Sequence, residues 1–473
     1  MSNETRPLQV KLLGFAIACG LGLPLAAVAQ TAAAPDSGAQ AAAAGSDAAT
    51  TQQLEQRVDE LQREVQQLKQ MIQQQQAAAP PAPAPQPVAQ APSAPTFTTG
   101  KGMSMALHGF ISATAFTQNK SFTFGNGQNA EFPVPGATGS MSGADVRNTR
   151  FMLDFSGAQF AGDWTGGGRI EMDFFGGFNG SGPFSQQQAT PRLRQAYLDL
   201  DRVSSGTKIR IGQQWELMFP LDNVPESLTH IAFPLGFGTG MIGWRFPGVV
   251  LMQDLNHGTQ GVKWRLDLGA FEGSWNGPGD NVNFLTAGNA GFRPQMEARL
   301  RAQGDNWVAY AAGHFSQIDL RGVGGGAPTP VKSSFNSTGV ELGGKWTPGT
   351  WVLMGTAYTG RGLGEIFGDL VQFGDIKDTG GYVQIGDHFT PHWAAYAFYG
   401  QSKSNTDDVV RWMGHGAAGR LKSQQAALSL EYSDGPYALG VEWMHAKLHT
   451  TTDGLDRQTT SGNQLSLSAI YHF

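Results

Sequence analysis

The chain has 473 residues and a formal net charge of −6 at pH 7. It contains 64 glycines and 10% aromatic residues, whereas only 15% of its residues are charged. This balance argues against nucleic acid as a partner. After the first 30 residues, no stretch of the sequence is apolar enough for long enough to cross a bilayer as a helix.

Residues 1–29 have the pattern of a secretory signal peptide. A basic start precedes an apolar run at 12–28, and Ala27-Val28-Ala29 offers a small-residue cleavage site. We therefore predict that the mature protein begins at Gln30; an uncleaved anchor and lipidation of Cys19 are the alternatives. Cys19 is the only cysteine, so the mature protein is expected to have neither a disulfide nor a thiolate metal site.

The next three segments are predicted to lie outside any globular core. Residues 30–50 form a low-complexity Ala-rich segment. Residues 51–76 carry apolar side chains at alternating spacings of four and three, which predicts a short coiled coil. Its predicted core residues are Leu54, Val58, Leu61, Val65, Leu68 and Ile72. A single amphipathic helix is the alternative. Residues 77–103 are Pro- and Ala-rich and predict a semi-rigid linker.

From residue 104 to residue 473 the apolar pattern has a period of two, which is typical of β-strands. Sixteen candidate strands begin near residues 105, 148, 163, 192, 207, 240, 259, 291, 305, 335, 350, 378, 391, 421, 437 and 462. Short connections alternate with long ones, which we place near 118–147, 177–191, 216–239, 276–290, 319–334, 361–377, 402–420 and 450–461. An even number of strands with this rhythm predicts an all-β fold, a 16-stranded antiparallel transmembrane β-barrel.

A barrel in a membrane must be closed, because an open sheet edge cannot be solvated in hydrocarbon. We therefore expect the last strand, "QLSLSAIYHF", to pair with the first, "MALHGFISATAF". A terminal aromatic such as Phe473 resembles the C-terminal signal that the outer-membrane assembly machinery recognises in bacterial barrels. A soluble β-sandwich is the alternative, but it does not account for the signal peptide, the loop rhythm and Phe473 together.

Basic residues recur on the polar side of several predicted strands, opposite the apolar side chains. The predicted pore-lining or substrate-binding residues are Arg150, Arg169, Arg192, Arg194, Lys208, Arg210, Arg245, Lys263, Arg265, Arg299 and Arg301. In a membrane barrel this side faces the lumen, where charge is tolerated. Each cation could instead be part of an ion pair that only holds the wall in shape. As a set, they predict a lumen with one basic wall and a preference for anions.

The long segment after the fifth predicted strand is too apolar for a free surface loop. It reads "QWELMFPLDNVPESLTHIAFPLGFGTG", and its prolines prevent a continuous helix or central strand. We expect this third loop to fold into the barrel mouth, with Asp222 and Glu226 as acids of a constriction facing the arginines. A contact that latches neighbouring subunits is the alternative.

Several motifs in this region resemble the DcaP-like family of outer-membrane porins: "GGRIEMDFFGGF", "RLRQAYLDL", "IRIGQQWELMF", "VPESL" and "FPLGFGTG". The sequence departs from the family at "WRFPGVV", which contains Arg245, where members often carry Pro-Gln after an Arg. The resemblance implies homotrimers in the Gram-negative outer membrane, a coiled coil in the periplasm, and passage of small organic anions such as dicarboxylates or aromatic acids.

No motif points to catalysis, and we expect neither an enzyme nor a cofactor or metal site. The predicted partners are outer-membrane lipid, further copies of this chain, small anionic solutes and the assembly machinery through Phe473. Two other functions stay open at this stage. The barrel could anchor an adhesin, or it could be a structural protein whose coiled coil tethers or spaces the outer membrane.

Overall fold

The computed structural model describes residues 96–98, 103–159, 161–177, 189–273, 293–320 and 331–473, together with the single residue Gln66. The predicted signal peptide and low-complexity segment lie outside the described residues, as do the six predicted coiled-coil core residues. Within the described part of the chain, no helix has both the length and the apolar character needed to span a bilayer.

The described residues form one large antiparallel sheet with short helical elements in its connections. The strands are β1 (Thr96–Thr98), β2 (Ser104–Gln118), β3 (Met141–Asp145), β4 (Arg150–Gln159), β5 (Thr165–Asp173), β6 (Arg192–Arg202), β7 (Thr207–Trp215), β8 (Arg245–Asp254), β9 (Lys263–Phe271), β10 (Gln295–Gln303), β11 (Trp307–Asp319), β12 (Ser334–Trp346), β13 (Trp351–Arg361), β14 (Lys377–Asp387), β15 (Trp393–Ser404), β16 (Arg420–Asp434), β17 (Tyr437–Thr451) and β18 (Arg457–His472). The helical elements are 3₁₀ turns at Val203–Ser205 and Leu363–Ile366 and the helix α1 (Thr406–Trp412).

These strands make a sixteen-membered ring with one extra strand. β3 and β4 pair with the upper and lower halves of the same strand, β2, so together they fill one position in the ring. The extra strand is β1, which lies inside the segment predicted as linker and pairs with Ser104–Ala106 of β2. Over those residues the other edge of β2 pairs with β4. β1 therefore lies on the same edge of β2 that pairs with β18 from Phe110 to Gln118.

The ring is closed by pairing of the last strand with the first. β18 runs antiparallel to β2, with Ile470 opposite Ser112 and Leu465 opposite Thr117. The backbone of Phe473 extends this pairing, because it both donates to and accepts from Gly109 at 3.0 Å. The predicted closed antiparallel barrel of sixteen strands is therefore confirmed.

The two faces of the barrel differ as the alternation predicts. Along β17, Leu439, Val441 and Trp443 are 40–52% exposed, whereas Glu442 and Met444, which alternate with them, are at most 3% exposed. The same pattern holds around the ring, so the outer face is a belt of exposed aliphatic and aromatic side chains. Such a face is suited to contact with lipid.

The connections alternate between short and long, with one exception. The connection between β17 and β18 covers only 452–456, whereas the sequence predicted a long loop at 450–461. That prediction was wrong because both faces of these strand ends are polar. A period-two pattern is visible only where one face is apolar.

Three long connections contribute buried side chains to the apolar core: L1 (119–140), L3 (216–244) and L6 (362–376). Phe237 of L3 stacks on Phe367 of L6 at 4.3 Å between ring centroids, and Trp244 also stacks on Phe367 at 4.6 Å. Phe132 of L1 is fully buried against Leu370 of L6. The apolar core is thus built from connections and the inner barrel wall.

Candidate functional site

Adjacent strands β4, β5 and β6 bring several arginines to one place on the inner face. Asp173 of β5 is the register partner of Arg192 of β6, and Phe151 of β4 is the partner of Met172 of β5. Because side chains alternate along a strand, Arg150 lies beside Asp173 on the inner side. We call Arg150, Arg192, Arg194 and Arg245, with Glu171 and Asp173, the arginine cluster.

A β-bulge explains an irregularity in the pattern of β6. The sequence places Arg192 and Arg194 on the polar side, but Gln195 interrupts the alternation. In the structure the register between β5 and β6 shifts here, because Glu171 pairs with Gln195 while Met172 pairs with Leu193. The extra residue lets both Arg194 and Gln195 point inward, where both bind the Glu171 carboxylate.

Two arginines of the cluster are fully engaged by carboxylates. Arg192 binds Asp173 with two parallel hydrogen bonds, from Nε at 3.0 Å and from Nη2 at 2.7 Å. Arg194 bridges both acids, since its Nε donates to Glu171 at 2.5 Å and its Nη1 donates to Asp173 at 2.7 Å. Bidentate pairs of this kind are strong and fix the geometry of both partners.

The other two arginines have no such partner. The Nε of Arg150 is 3.5 Å from Glu171, and both its Nε and its Nη2 are buried without a hydrogen-bond partner among the described residues. Arg245 is not ion-paired with any described carboxylate, and its Nη1 also lacks a hydrogen-bond partner there. Four guanidinium groups therefore share two carboxylates, and this part of the wall carries excess positive charge.

Aromatic rings hold the guanidinium groups in place. Arg245 lies over Trp215 at 4.5 Å and over Trp244 at 4.3 Å. Arg192 lies over Phe233 of L3 at 5.3 Å, and Arg150 lies over Phe110 of β2 at 5.4 Å. Cation–π contacts of this kind stabilise a charge that water does not reach.

Most of the other predicted site residues each have a carboxylate partner of their own. Arg169 binds Asp154 through Nε at 2.6 Å and Nη2 at 2.8 Å, and Arg265 binds Asp267 in the same two-bond manner. Arg210 binds Asp199 through two bonds of 2.8 Å. Lys208 lies 3.2 Å from Asp201 and 3.7 Å from Asp199. Lys263 is exposed at the start of β9.

The two acids predicted for L3 bind residues of β10 and β12. Asp222 accepts hydrogen bonds from Arg299 at 2.7 Å and from Nε of Arg301 at 2.8 Å. Glu226 pairs with Lys345 of β12 at 3.1 Å. Arg299, Arg301 and Asp222 thus form a link between L3 and β10, separate from the arginine cluster.

L3 also contacts polar side chains on the inner faces of the C-terminal strands. The Ser227 hydroxyl donates to Glu442 of β17 at 2.6 Å, and the Glu226 N–H donates to Gln384 of β14 at 2.7 Å. Thr239 donates to Ser423 of β16 at 2.9 Å. Back towards β4, the Asn148 amide donates to the Thr229 carbonyl at 2.7 Å. L3 is therefore hydrogen-bonded to strands far apart in the sequence.

A buried acidic group that no sequence pattern predicted lies where L3 meets L6. Glu297 of β10 accepts the Leu217 N–H at 2.6 Å and lies 2.9 Å from Nδ1 of His314. Burial raises the pKa of Glu216 well above its usual range, and the charge of Glu297 adds to this. Burial also raises the pKa of Glu365 in L6 to about 7, which His314 partly opposes. No short motif marks the group, because it forms only where residues of two connections meet residues of β10 and β11.

No protein-family model matches the chain, and no curated protein sequence matches it. Among solved structures, the outer membrane channel DcaP of Acinetobacter baumannii aligns with a TM-score of 0.60 and 21% identity, covering 80% of this chain and 99% of that chain. OmpF of Salmonella typhi, solved in complex with daunomycin, aligns with a TM-score of 0.50 and 14% identity, covering 80% of this chain and all of that chain. The resemblance to the DcaP channel predicted from the sequence is thus confirmed at the level of the fold.

Proposed function

We propose that the protein is an outer-membrane channel for passive diffusion of small hydrophilic solutes, with a preference for organic anions such as dicarboxylates or aromatic acids. The observation that carries this proposal is the arginine cluster, in which four guanidinium groups share two carboxylates. Arginine stays charged in proteins and holds carboxylates in a planar two-bond geometry. A lumen with uneven positive charge and walls of low dielectric attracts anions.

Arg150 is the residue of the arginine cluster with the most hydrogen-bonding capacity left unused. Its Nε and Nη2 are the two nitrogens that Arg192 uses to hold Asp173, and in Arg150 they lack hydrogen-bond partners among the described residues. Buried donors without partners cost free energy, so an anion that reaches them is stabilised. Phe175 and Phe233, over which Arg192 lies at 5.5 and 5.3 Å, border the arginine cluster with aromatic rings. Release requires that such a site be weak and followed by others.

We also propose that L3 folds inward and narrows the channel. Its hydrogen bonds to Glu442, Ser423 and Gln384, together with its ion pair to β10, support this proposal. A narrow passage brings a solute closer to the charged wall, where its energy depends more strongly on the sign of its charge.

Assembly and location follow from the family resemblance. We propose that three copies associate in the Gram-negative outer membrane, with the coiled coil at 51–76 in the periplasm. Phe473 is proposed to be recognised by the assembly machinery, and its ring lies 5.8 Å from that of Phe151 on the outer surface. The apolar outer belt supports contact with lipid.

The test is the reversal potential of the purified protein in a planar bilayer under a salt gradient. The double variant Arg150→Ser, Arg192→Ser should lower the anion-over-cation permeability ratio by roughly fivefold or more. One charge acting over about 15 Å at an effective dielectric near 20 changes the energy of an ion by about 1 kcal/mol. Arg202→Ser is the control, because Arg202 lies in an exposed pair with Asp163. An unchanged ratio in the double variant would contradict the proposed anion preference.

The filled interior favours one alternative function. Phe219, Phe237 and Leu235 of L3 are buried inside the ring, as expected of a plugged barrel that serves as a structural or adhesin anchor. Such a protein would conduct no ions in the same bilayer experiment. Measurable conductance in competition with mono- and dicarboxylates would exclude it.

A further inference from the structure

The outer face of the C-terminal strands carries a group of lysines that the pore does not use. Three lysines lie an even number of residues from exposed side chains on the same strands, and so on the same face. They are Lys403 of β15, Lys422 of β16 and Lys447 of β17, and the exposed side chains are Tyr399, Leu428 and Trp443. The lysines therefore point away from the lumen. We call these three residues the outer lysine cluster.

The register brings the three lysines together. Lys403 and Lys422 are direct cross-strand partners. Lys447 is the partner of Gln424, two residues from Lys422, and so lies diagonally across from Lys422. Side chains in these positions have Cβ atoms roughly 5 to 8 Å apart. Like charges placed directly opposite each other are destabilising, so an anion between them would offset a real cost.

No described carboxylate is ion-paired with any of the three. An outward-facing cation on the nearby strand β13, by contrast, has acidic partners. Arg361 occupies the equivalent outward position there, and it pairs with Asp375 at 2.8 Å and with Asp408 at 3.1 Å. The barrel neutralises this neighbouring outward cation with its own acids and leaves the outer lysine cluster without acids.

The position of the lysines relative to the two membrane interfaces indicates which kind of anion they can meet. Each lies ten positions along its strand from an aromatic residue at the short-turn end: Trp393 for Lys403, Tyr432 for Lys422 and Tyr437 for Lys447. A tilted strand crosses the hydrocarbon in about 9 to 11 residues, with aromatic girdles at the interfaces. The lysines therefore lie at the opposite interface, on the side of the long connections, which in outer-membrane barrels is extracellular.

The adjoining surface can also hold an acyl chain. A groove of about 1000 Å³ runs below Arg361 and Lys377 on the outer face. Its lining includes Met296, Phe315 and Val340, each about half exposed. A ligand that combines phosphate with long apolar chains fits both features, whereas free phosphate uses only the lysines.

We propose that the outer lysine cluster binds the phosphate groups of a phosphorylated lipid in the outer leaflet. Lysines near an anionic interface are each worth about fivefold in affinity. This inference depends on the outer-membrane location proposed above, but it is independent of the ion preference of the pore.

The test is a binding titration of the full-length protein in dodecyl maltoside with fluorescent diphosphorylated lipid A. Dephosphorylated lipid A and inorganic phosphate as a competitor form the other two arms. The variant K403Q/K422Q/K447Q should bind the phosphorylated lipid roughly 100-fold more weakly than the natural sequence does. The control K208Q/K263Q/K345Q removes the same number of charges from the inner face of the strands. It should bind the phosphorylated lipid as the natural sequence does. Millimolar inorganic phosphate should compete only weakly.

Three results would overturn the proposal. The triple variant could bind the phosphorylated lipid as well as the natural sequence does, or the dephosphorylated lipid could bind equally well. The triple variant could also lose its oligomeric state in the absence of lipid, which would assign this face to subunit contact. If the triple variant does not fold, K403R/K422R/K447R should keep the affinity and the single variant K422Q should lower it about fivefold. Reversal potentials measured on the same preparations reveal a failure of the channel proposal separately.

Discussion

At the scale of single residues, the arginine cluster combines two kinds of arginine. Arg194 is 2% exposed and is held by Glu171 and Asp173, so it fixes the shape of the wall. Arg150 lies on the same inner face but keeps two donors without partners among the described residues. The same residue type is therefore either fully paired or left with unused donors, according to how many carboxylates lie near it.

Replacing Arg194 with Ala should destabilise the barrel strongly. The substitution leaves Glu171 buried with only Gln195 and the more distant Arg150 as partners. Removing one member of a buried ion pair typically costs about 3–5 kcal/mol. The check is the midpoint of urea unfolding in detergent micelles.

Arg202→Ala is the matched control, because its pair with Asp163 is almost half exposed on both sides. Exposed pairs contribute only about 0–1 kcal/mol. Equal midpoints for Arg194→Ala and the natural sequence would show that the buried pair contributes little to stability.

At the scale of elements, L3 is joined to β10 by an ion-paired link centred on Asp222. Asp222 receives hydrogen bonds from both Arg299 and Arg301, and Arg299 also donates to the Phe219 carbonyl at 3.1 Å. Asp222→Ala removes the acceptor and leaves Arg299, which is 1% exposed, without its carboxylate. This part of L3 should then detach from β10.

We expect Asp222→Ala to raise the conductance of a single channel and to increase current noise in planar bilayers. A loop released from one wall leaves a wider and more variable passage. Glu226→Ala is the comparison, because Glu226 is 43% exposed and binds only Lys345 by an ion pair. The idea that Asp222 fixes the loop is wrong if both variants behave alike.

The contact between L3 and L6 should weaken as the pH rises. Glu365, whose pKa burial raises to about 7, is close to His314 and Glu297. Its carboxyl loses its proton near pH 4.3 in the unfolded chain, so between about pH 5 and 7 only the folded state keeps that proton. Stability therefore falls as the pH rises through this window, by up to about 1.4 kcal/mol per unit of pKa difference.

The measurement for this effect is hydrogen exchange of the Gly243 amide, which donates to the Ile366 carbonyl of L6 at 2.6 Å. After correction for intrinsic exchange, its protection should decrease from pH 5 to pH 7.5. Glu365→Gln cannot ionise and should show a smaller decrease over the same range. Identical pH profiles would assign the effect to another group.

The sequence predicted the strands better than the connections, for a physical reason. Alternation identifies strands wherever one face is apolar, so the predicted start of the strand at residue 437 agrees with β17. Alternation gives no signal where both faces of a strand are polar, as at 450–461, and it is interrupted at the bulge of Arg194 and Gln195. The group of Glu216, Glu297, His314 and Glu365 depends on contacts between distant segments, and a local pattern holds no information about those contacts.

At the scale of the whole molecule, the barrel has two charged surfaces that face different surroundings. The arginine cluster consists of buried or partly buried residues of β4–β6 and β8, whereas the outer lysine cluster lies on the outer faces of β15–β17. The two proposed roles, one towards solutes and one towards lipid, would therefore use separate surfaces. Because each surface needs a different face of the sheet, the same strand alternation supports both.

The last prediction concerns assembly of the full chain. Valine or isoleucine at one core position of the heptads and leucine at the other favour two-stranded coiled coils in isolation. Only three heptads are predicted at 51–76, so we expect the barrel to impose its own symmetry and chemical cross-linking of the intact protein to give trimers. The variant Leu61→Asp, Leu68→Asp should disrupt the coiled coil and still give trimers, since each barrel buries its own core. Cross-linking that stops at dimers would instead assign the symmetry to the coiled coil, and loss of all oligomers in the double variant would show that the barrels alone do not associate.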